Sequence, residues 1–131
     1  MGEAMSNGKP EETVKRLFEA INDWNIEAAL ALYDSDAVMI AEIGKKAVGK
    51  EAIRNALESF IALKPTLKNI NHEMIEAGEI ALSCSEWKLS GTDSEGKVVE
   101  MGGKSSDILR RKSDGTWRIV VDNPWGTEII N

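Results

Sequence analysis

Pro65 divides the sequence into two halves of different periodicity, and that division constrains the fold more than any other feature of the 131-residue chain. After it come four strand-like runs, 67–77, 80–90, 98–111 and 117–123, separated by turn signals at Gly78, at Asp93-Ser94-Glu95-Gly96 and at Asp114-Gly115. Such spacing predicts an antiparallel meander. Before Pro65 the apolar residues recur at helical intervals. Pro10 suits a first helical position, Glu11 and Glu12 complement the positive end of the helix dipole, and Val14, Leu17, Phe18 and Ile21 share one face of a helix ending near Asn22. Asn25 caps a short second helix carrying Ile26, Ala29, Leu30 and Tyr33. Residues 37–43 then read as a strand, with Ala47 and Val48 adding a bridge. Gly49 opens a third helix whose stripe is Ile53, Ala56, Leu57, Phe60 and Ile61, and Pro65 stops it. Helices followed by a run of strands predict an α+β domain with the helices on one face of a curved sheet.

The length leaves room for one domain, expected over 10–131, and residues 1–9, which lack apolar periodicity and a secretory apolar run, are expected to be a disordered leader. A cytoplasmic location follows from that reading. A formal charge of −6 sets the protein's own field against a phosphate backbone, so nucleic acid is not an expected partner. No apolar run approaches the roughly 20 residues of a membrane span. One cysteine, Cys84, and one histidine, His72, leave no internal disulfide and few soft metal ligands, so no metal or other cofactor is expected. Chemistry falls to the carboxylates.

Turn lengths set which residues lie opposite one another. A four-residue loop at Asp93–Gly96 puts Leu82 opposite Asp107, Glu86 opposite Gly103 and Trp87 opposite Gly102. Leu82, Cys84, Glu86, Met101, Ser105, Asp107 and Leu109 then share the face under the helices. A two-residue turn at Asp114-Gly115 sets Asp107 across from Asp122 and Leu109 across from Val120. The other face receives Trp87, Ile108, Ile119 and Val121, an apolar surface that needs cover and predicts a homodimer through Trp87, Ile119 or Val121.

The element order, together with the stretches 29–38 (Ala-Leu-Ala-Leu-Tyr-Asp-Ser-Asp-Ala-Val), 48–53 (Val-Gly-Lys-Glu-Ala-Ile) and 110–120 (Arg-Arg-Lys-Ser-Asp-Gly-Thr-Trp-Arg-Ile-Val), resembles the SnoaL-like and DUF4440 families of the NTF2-like superfamily. The resemblance runs from about Glu11 to Gly126. It implies a cone-shaped α+β barrel enclosing a small-molecule pocket, commonly dimeric through the outer sheet face. The superfamily includes ketosteroid isomerase, in which a carboxylate base removes a proton while a tyrosine and a protonated carboxylic acid stabilise the enolate. Aligned on Asp36-Ala37, the resemblance puts Ala41 at the base position, Leu17 at the tyrosine position and Asp107 at the protonated acid. Steroid isomerisation is therefore not inherited with the fold. Glu42 lies one residue from the base position and substitutes only if a bulge turns it inward.

The sharpest candidates are Asp107 and Asp122 as a catalytic pair. Carboxylates sharing a poorly solvated site do not both ionise cheaply, so one keeps a proton and becomes a general acid. Against this stands a structural reading, in which Asp107 bonds a backbone amide or Ser105 and Asp122 pairs with Arg118 or Arg111. The expected pocket lining is Tyr33, Met39, Leu82, Glu86, Met101, Ser105, Leu109, Val120 and Trp125, with Trp125 near the barrel mouth as a gate. The segment Gly44-Lys45-Lys46-Ala47-Val48-Gly49-Lys50 has the spacing of a phosphate loop, but Glu51 stands where Ser or Thr would hold magnesium. His72 reads as a solvated or hydrogen-bonded histidine, and Cys84 as a small core residue. Three functions remain open: an isomerase, dehydratase or cyclase acting on a small carbonyl compound, a non-catalytic binder of a small apolar molecule, and a dimerisation or association module.

Overall fold

The computed structural model describes residues 8–130, so most of the expected leader, residues 1–7, lies outside them. Three helices, α1 (Pro10–Asn22), α2 (Ile26–Leu30) and α3 (Lys50–Ile61), pack on one face of a sheet. The strands are β1 (Tyr33–Glu42), β2 (Lys45–Val48), β3 (Thr66–Ala77), β4 (Ile80–Thr92), β5 (Val98–Arg111) and β6 (Trp117–Asp122), in the spatial order β2-β1-β6-β5-β4-β3. All neighbours are antiparallel except β1 and β6. The α+β architecture expected from the two halves of the sequence is the one observed. Tyr33 belongs to β1 rather than to the second helix, because Leu32 already enters the sheet region, its carbonyl accepting from Ile119 N–H at 2.9 Å.

Two side chains pin the helical layer. Thr13, fully buried on α1, donates its hydroxyl to the Trp117 carbonyl of β6 at 2.9 Å. At the other end of α1 the Asn22 amide bonds both the N–H (2.7 Å) and the carbonyl (2.9 Å) of Leu67, and Trp24 Nε1 reaches the Pro65 carbonyl. Between them Leu17, Ala20, Leu30, Ile53, Leu57, Leu109, Trp117 and Ile119 form the core. Because a buried apolar side chain contributes roughly 1.5–3 kcal/mol, this layer of contacts is what holds the helices down.

The β4–β5 register differs by one residue from the sequence expectation. Thr92 pairs with Val98, so the loop has five residues, Asp93–Lys97. The Asp93 carboxylate accepts from the N–H groups of both Glu95 and Lys97 at 2.9 Å, which draws Lys97 into the turn. The slip reverses the faces of β4. Leu82 pairs with Ile108 and is 37% exposed on the outer face, and Glu86 and Cys84 point outward with it. Trp87 turns inward opposite Gly103, not Gly102, and is only 7% exposed.

β6 carries a bulge. Ile108 pairs with Val121 and Leu109 with Ile119, leaving Val120 as the extra residue, so Leu109 does not face Val120 as expected. A plain alternating strand would send either Ile119 or Asp122 outward. The bulge lets both point in, with Ile119 at 2% exposure in the core, so Ile119 is not part of the outer face. After Asp122 the chain turns through Pro124 and Trp125 into a short 3₁₀ turn, Gly126–Ile129.

Gly126 makes that turn possible. It has φ of +58°, and a Cβ there would lie 2.3 Å from the Lys104 carbonyl oxygen. Gly126→Ala is expected to destabilise the protein by about 1–3 kcal/mol through strain and displacement of the closing turn, read as a lower urea midpoint.

Candidate functional site

Between the helices and the inner face of the sheet lies a cavity of about 80 Å³. Leu17, Phe18 and Ile21 of α1, Leu57 and Phe60 of α3, and Met39, Leu67, Trp87 and Leu89 of the sheet make its apolar wall. The polar groups gather at one side, where Tyr33, Ser105, Asp107 and Asp122 line it. Asp107 from β5 and Asp122 from β6 therefore both line it. The expected two-residue turn is instead a five-residue loop, Lys112–Thr116, with Arg111 opposite Trp117, and the Val120 bulge restores the offset that sets the two carboxyl groups side by side.

Their hydrogen bonds give the pair an order. Tyr33 Oη donates to Asp122 Oδ2 at 2.5 Å. Asp107 Oδ1 accepts the Asn123 N–H at 2.8 Å, and the two carboxyl groups bond to one another. Burial, then the charge of Asp122, pushes the Asp107 carboxyl well above the usual carboxylate range, against the pull of the Asn123 amide. Burial also raises Asp122, but there the Tyr33 hydroxyl and the Asp107 proton act in the opposite sense. Both carboxyl groups are thus held above the usual carboxylate range, Asp107 the more strongly, and the pair favours a proton shared between them. The Tyr33 hydroxyl is likewise held well above its ordinary value by burial, the Asp122 charge and the bond it donates. The arginines considered for Asp122 are engaged elsewhere: Arg111 with Glu79, and Arg118 with the Ala31 carbonyl.

Besides the two aspartates, three of the expected lining residues, Tyr33, Met39 and Ser105, line the cavity. The others do not. Leu82 and Glu86 were lost to the register slip, Leu109 is fully buried in the core, and Val120 sits at the bulge. Met101 and Trp125 line a neighbouring groove instead, together with Ala41, Glu42, Lys45 and Lys46. Trp125 is tied there by Nε1 to the Ile40 carbonyl at 2.9 Å. It meets Trp87 edge-on with ring centroids 5.6 Å apart, while Trp87 Nε1 donates to the Pro124 carbonyl at 2.8 Å. The helical lining residues were visible as apolar stripes but were read only as core. His72 donates to or accepts from Ser83 at 3.0 Å, a hydrogen-bonded histidine away from the cavity. No group of three or more His, Cys, Asp or Glu side chains is placed to hold a metal ion among the described residues, and no helix there is long and apolar enough to cross a membrane.

Among the described residues, a six-stranded, mostly antiparallel sheet under three helices is the NTF2-like fold. The chain belongs to the SnoaL-like domain family, whose model matches residues 14–121. An NTF2-like superfamily protein from Salmonella enterica serovar Typhimurium is similar in structure, with a TM-score of 0.77 at 18% identity over 86% of this chain and 84% of that one. A protein from Novosphingobium aromaticivorans provisionally named a scytalone dehydratase gives 0.76 at 17% identity, over 86% and 77%. A Catenulispora acidiphila protein solved in complex with S-DNPA gives 0.70 at 18%, over 86% of each chain. These likenesses establish the fold. No match to a curated protein was found by sequence.

The asymmetry of the pair fixes a sign. A carboxyl whose folded-state pKa is raised stabilises the protein below its unfolded value near 3.9 and loses that contribution as pH rises through the folded value. Wild-type stability should therefore decline from about pH 4 upward relative to Asp107→Asn, whose amide copies the protonated acid and does not titrate. At neutral pH Asp107→Asn is expected to match or exceed wild type in urea melts. Tyr33→Phe, which strips a donor from a buried charge, should cost about 1–3 kcal/mol.

Proposed function

We propose that this protein binds a small, largely apolar carbonyl compound, with the carbonyl oxygen against Asp107, and that the Asp107–Asp122 pair acts as a general acid. The observation that carries this reading is the Tyr33–Asp122–Asp107 network closing one side of an otherwise apolar cavity. A proton kept on Asp107 is a donor for an oxygen that gains negative charge, and low solvation strengthens that bond. Asp122, ionised and held by Tyr33, steadies the proton before transfer and accepts it back. Isomerisation, dehydration and cyclisation of carbonyl compounds all start with such polarisation. The base and tyrosine of ketosteroid isomerase have no counterpart at the matched positions: Ala41 and its neighbour Glu42 belong to the groove, and Leu17 lines the cavity without a polar atom.

Cyclohexanone is a suitable probe. It is expected to perturb the Asp107 carboxyl and Tyr33 ring resonances. Asp107→Leu, which keeps bulk but removes the donor, should weaken binding by about two- to tenfold, whereas Asp107→Asn retains binding and loses any exchange of the ketone's α-hydrogens with deuterated water, in which a solvent molecule takes the α-proton while Asp107 protonates the carbonyl oxygen. Equal binding to wild type and Asp107→Leu would remove the carbonyl from the reading. Binding without exchange would leave a non-catalytic binder.

Association of two copies is a second element of the proposal, and the outer face supports it. Ile75, Leu82, Ile108, Val121, Val38 and Val48 pair in sequence across all six strands, and Ile75, Leu82, Ile108 and Val48 are exposed. Such a continuous aliphatic row fits a second copy of the same face. A dimer is expected by sedimentation at tens of micromolar, roughly where a weak pair is already populated. The doubly substituted Leu82→Lys, Ile108→Glu protein should sediment as a folded monomer, and an unchanged sedimentation coefficient would show that association lies elsewhere.

A further inference from the structure

We propose that the groove beside Trp125 is a second subsite, which takes the anionic end of an elongated amphipathic ligand whose apolar end occupies the cavity. The proposal builds on the pocket reading above and names the ligand class. At about 80 Å³ the cavity accommodates little more than a small ring. The groove offers about 650 Å³ and adjoins the cavity. Phe60 lines both. The Trp125 ring in the groove touches the Trp87 ring in the cavity, and Met101 in the groove is the cross-strand neighbour of Leu89 in the cavity. Joined across these contacts, cavity and groove reach the size usual for small-molecule sites, roughly 300–1,000 Å³.

The groove exists because α3 and β2 present Ala52, Ala56 and Ala47 there, too short to fill it. Its polar rim is unlike the cavity's. Lys45 and Lys46 stand against one carboxylate, Glu42, so the rim is locally positive on a chain of net charge −6. No ion pair engages either lysine among the described residues. Asn55 of α3 adds an amide donor. The ligand that fits is apolar at the dyad and carries a carboxylate at the far end. Charge also sets the orientation, because a carboxylate forced against Asp122 would face the buried negative charge.

The test uses ω-phenylalkanoates of increasing chain length and their primary amides, titrated calorimetrically into the full-length protein at low salt. Amides of every length report the cavity alone. Acids should bind no better than amides while short and gain an advantage once the chain reaches the groove. Lys45→Gln with Lys46→Gln should erase that advantage, about two- to fivefold per lysine, and leave amide binding unchanged. Trp125→Ala should shift the length at which the advantage begins. Acids binding no better than amides at any length, or an advantage that survives loss of both lysines, overturns the groove subsite while the amides still uphold the cavity. Failure of all amides to bind overturns the cavity reading, and this inference falls with it.

Discussion

The site depends on one extra residue in β6. Ile119 is needed in the core and Asp122 in the cavity, yet three positions separate them, an odd number that a regular strand assigns to opposite faces. The bulge at Val120 resolves the conflict, and it does so next to the dyad, where added twist also helps the sheet curve around the cavity. Val121 remains on the outside and completes the aliphatic row. Core, cavity and outer face are thus set by the same local irregularity.

Two buried settings for aspartate in this protein show what makes a carboxyl keep its proton. Asp34 is nearly as enclosed as Asp122, and burial works against its ionisation too. Lys112 holds both of its oxygens at 3.1 Å, Ser35 N–H adds a bond, and Arg110 stands nearby, so its carboxyl lies below the ordinary range. Asp107 and Asp122 have hydroxyls, an amide and each other, with no cation among those partners. The difference between an aspartate that stays ionised and a pair that holds a proton comes from the partner, together with the greater depth at which Asp107 and Asp122 lie.

Most of the architecture was legible in the sequence because the helical stripes and turn signals were local. The carboxyl pair was read from a two-residue Asp114-Gly115 turn, whereas the chain turns through five residues, Lys112–Thr116, and the extra residue at Val120 makes up the difference that brings Asp107 and Asp122 together. The β4 face was not legible. Whether Lys97 belongs to the strand or the turn depends on the Asp93 carboxylate, and that single residue decided Leu82, Glu86 and Trp87 together. The bulge was hidden for another reason, as Val120 and Val121 are chemically alike and only the packing of Ile119 and Asp122 distinguishes them. Residues from α1 and α3 that wall the cavity carry no mark separating a ligand wall from a filled core; that distinction is set by how far the helices stand off the sheet.

Tyr33 is the only tyrosine in the chain. Its hydroxyl ends on Asp122, so the protein carries a built-in reporter at the polar side of its cavity. Isotopic labelling of tyrosine alone would yield one ring, with no assignment problem, whose ζ-carbon frequency responds to the charge on the neighbouring carboxylate. A change in the dyad could then be followed in unpurified mixtures, without a substrate assay and without altering a single residue.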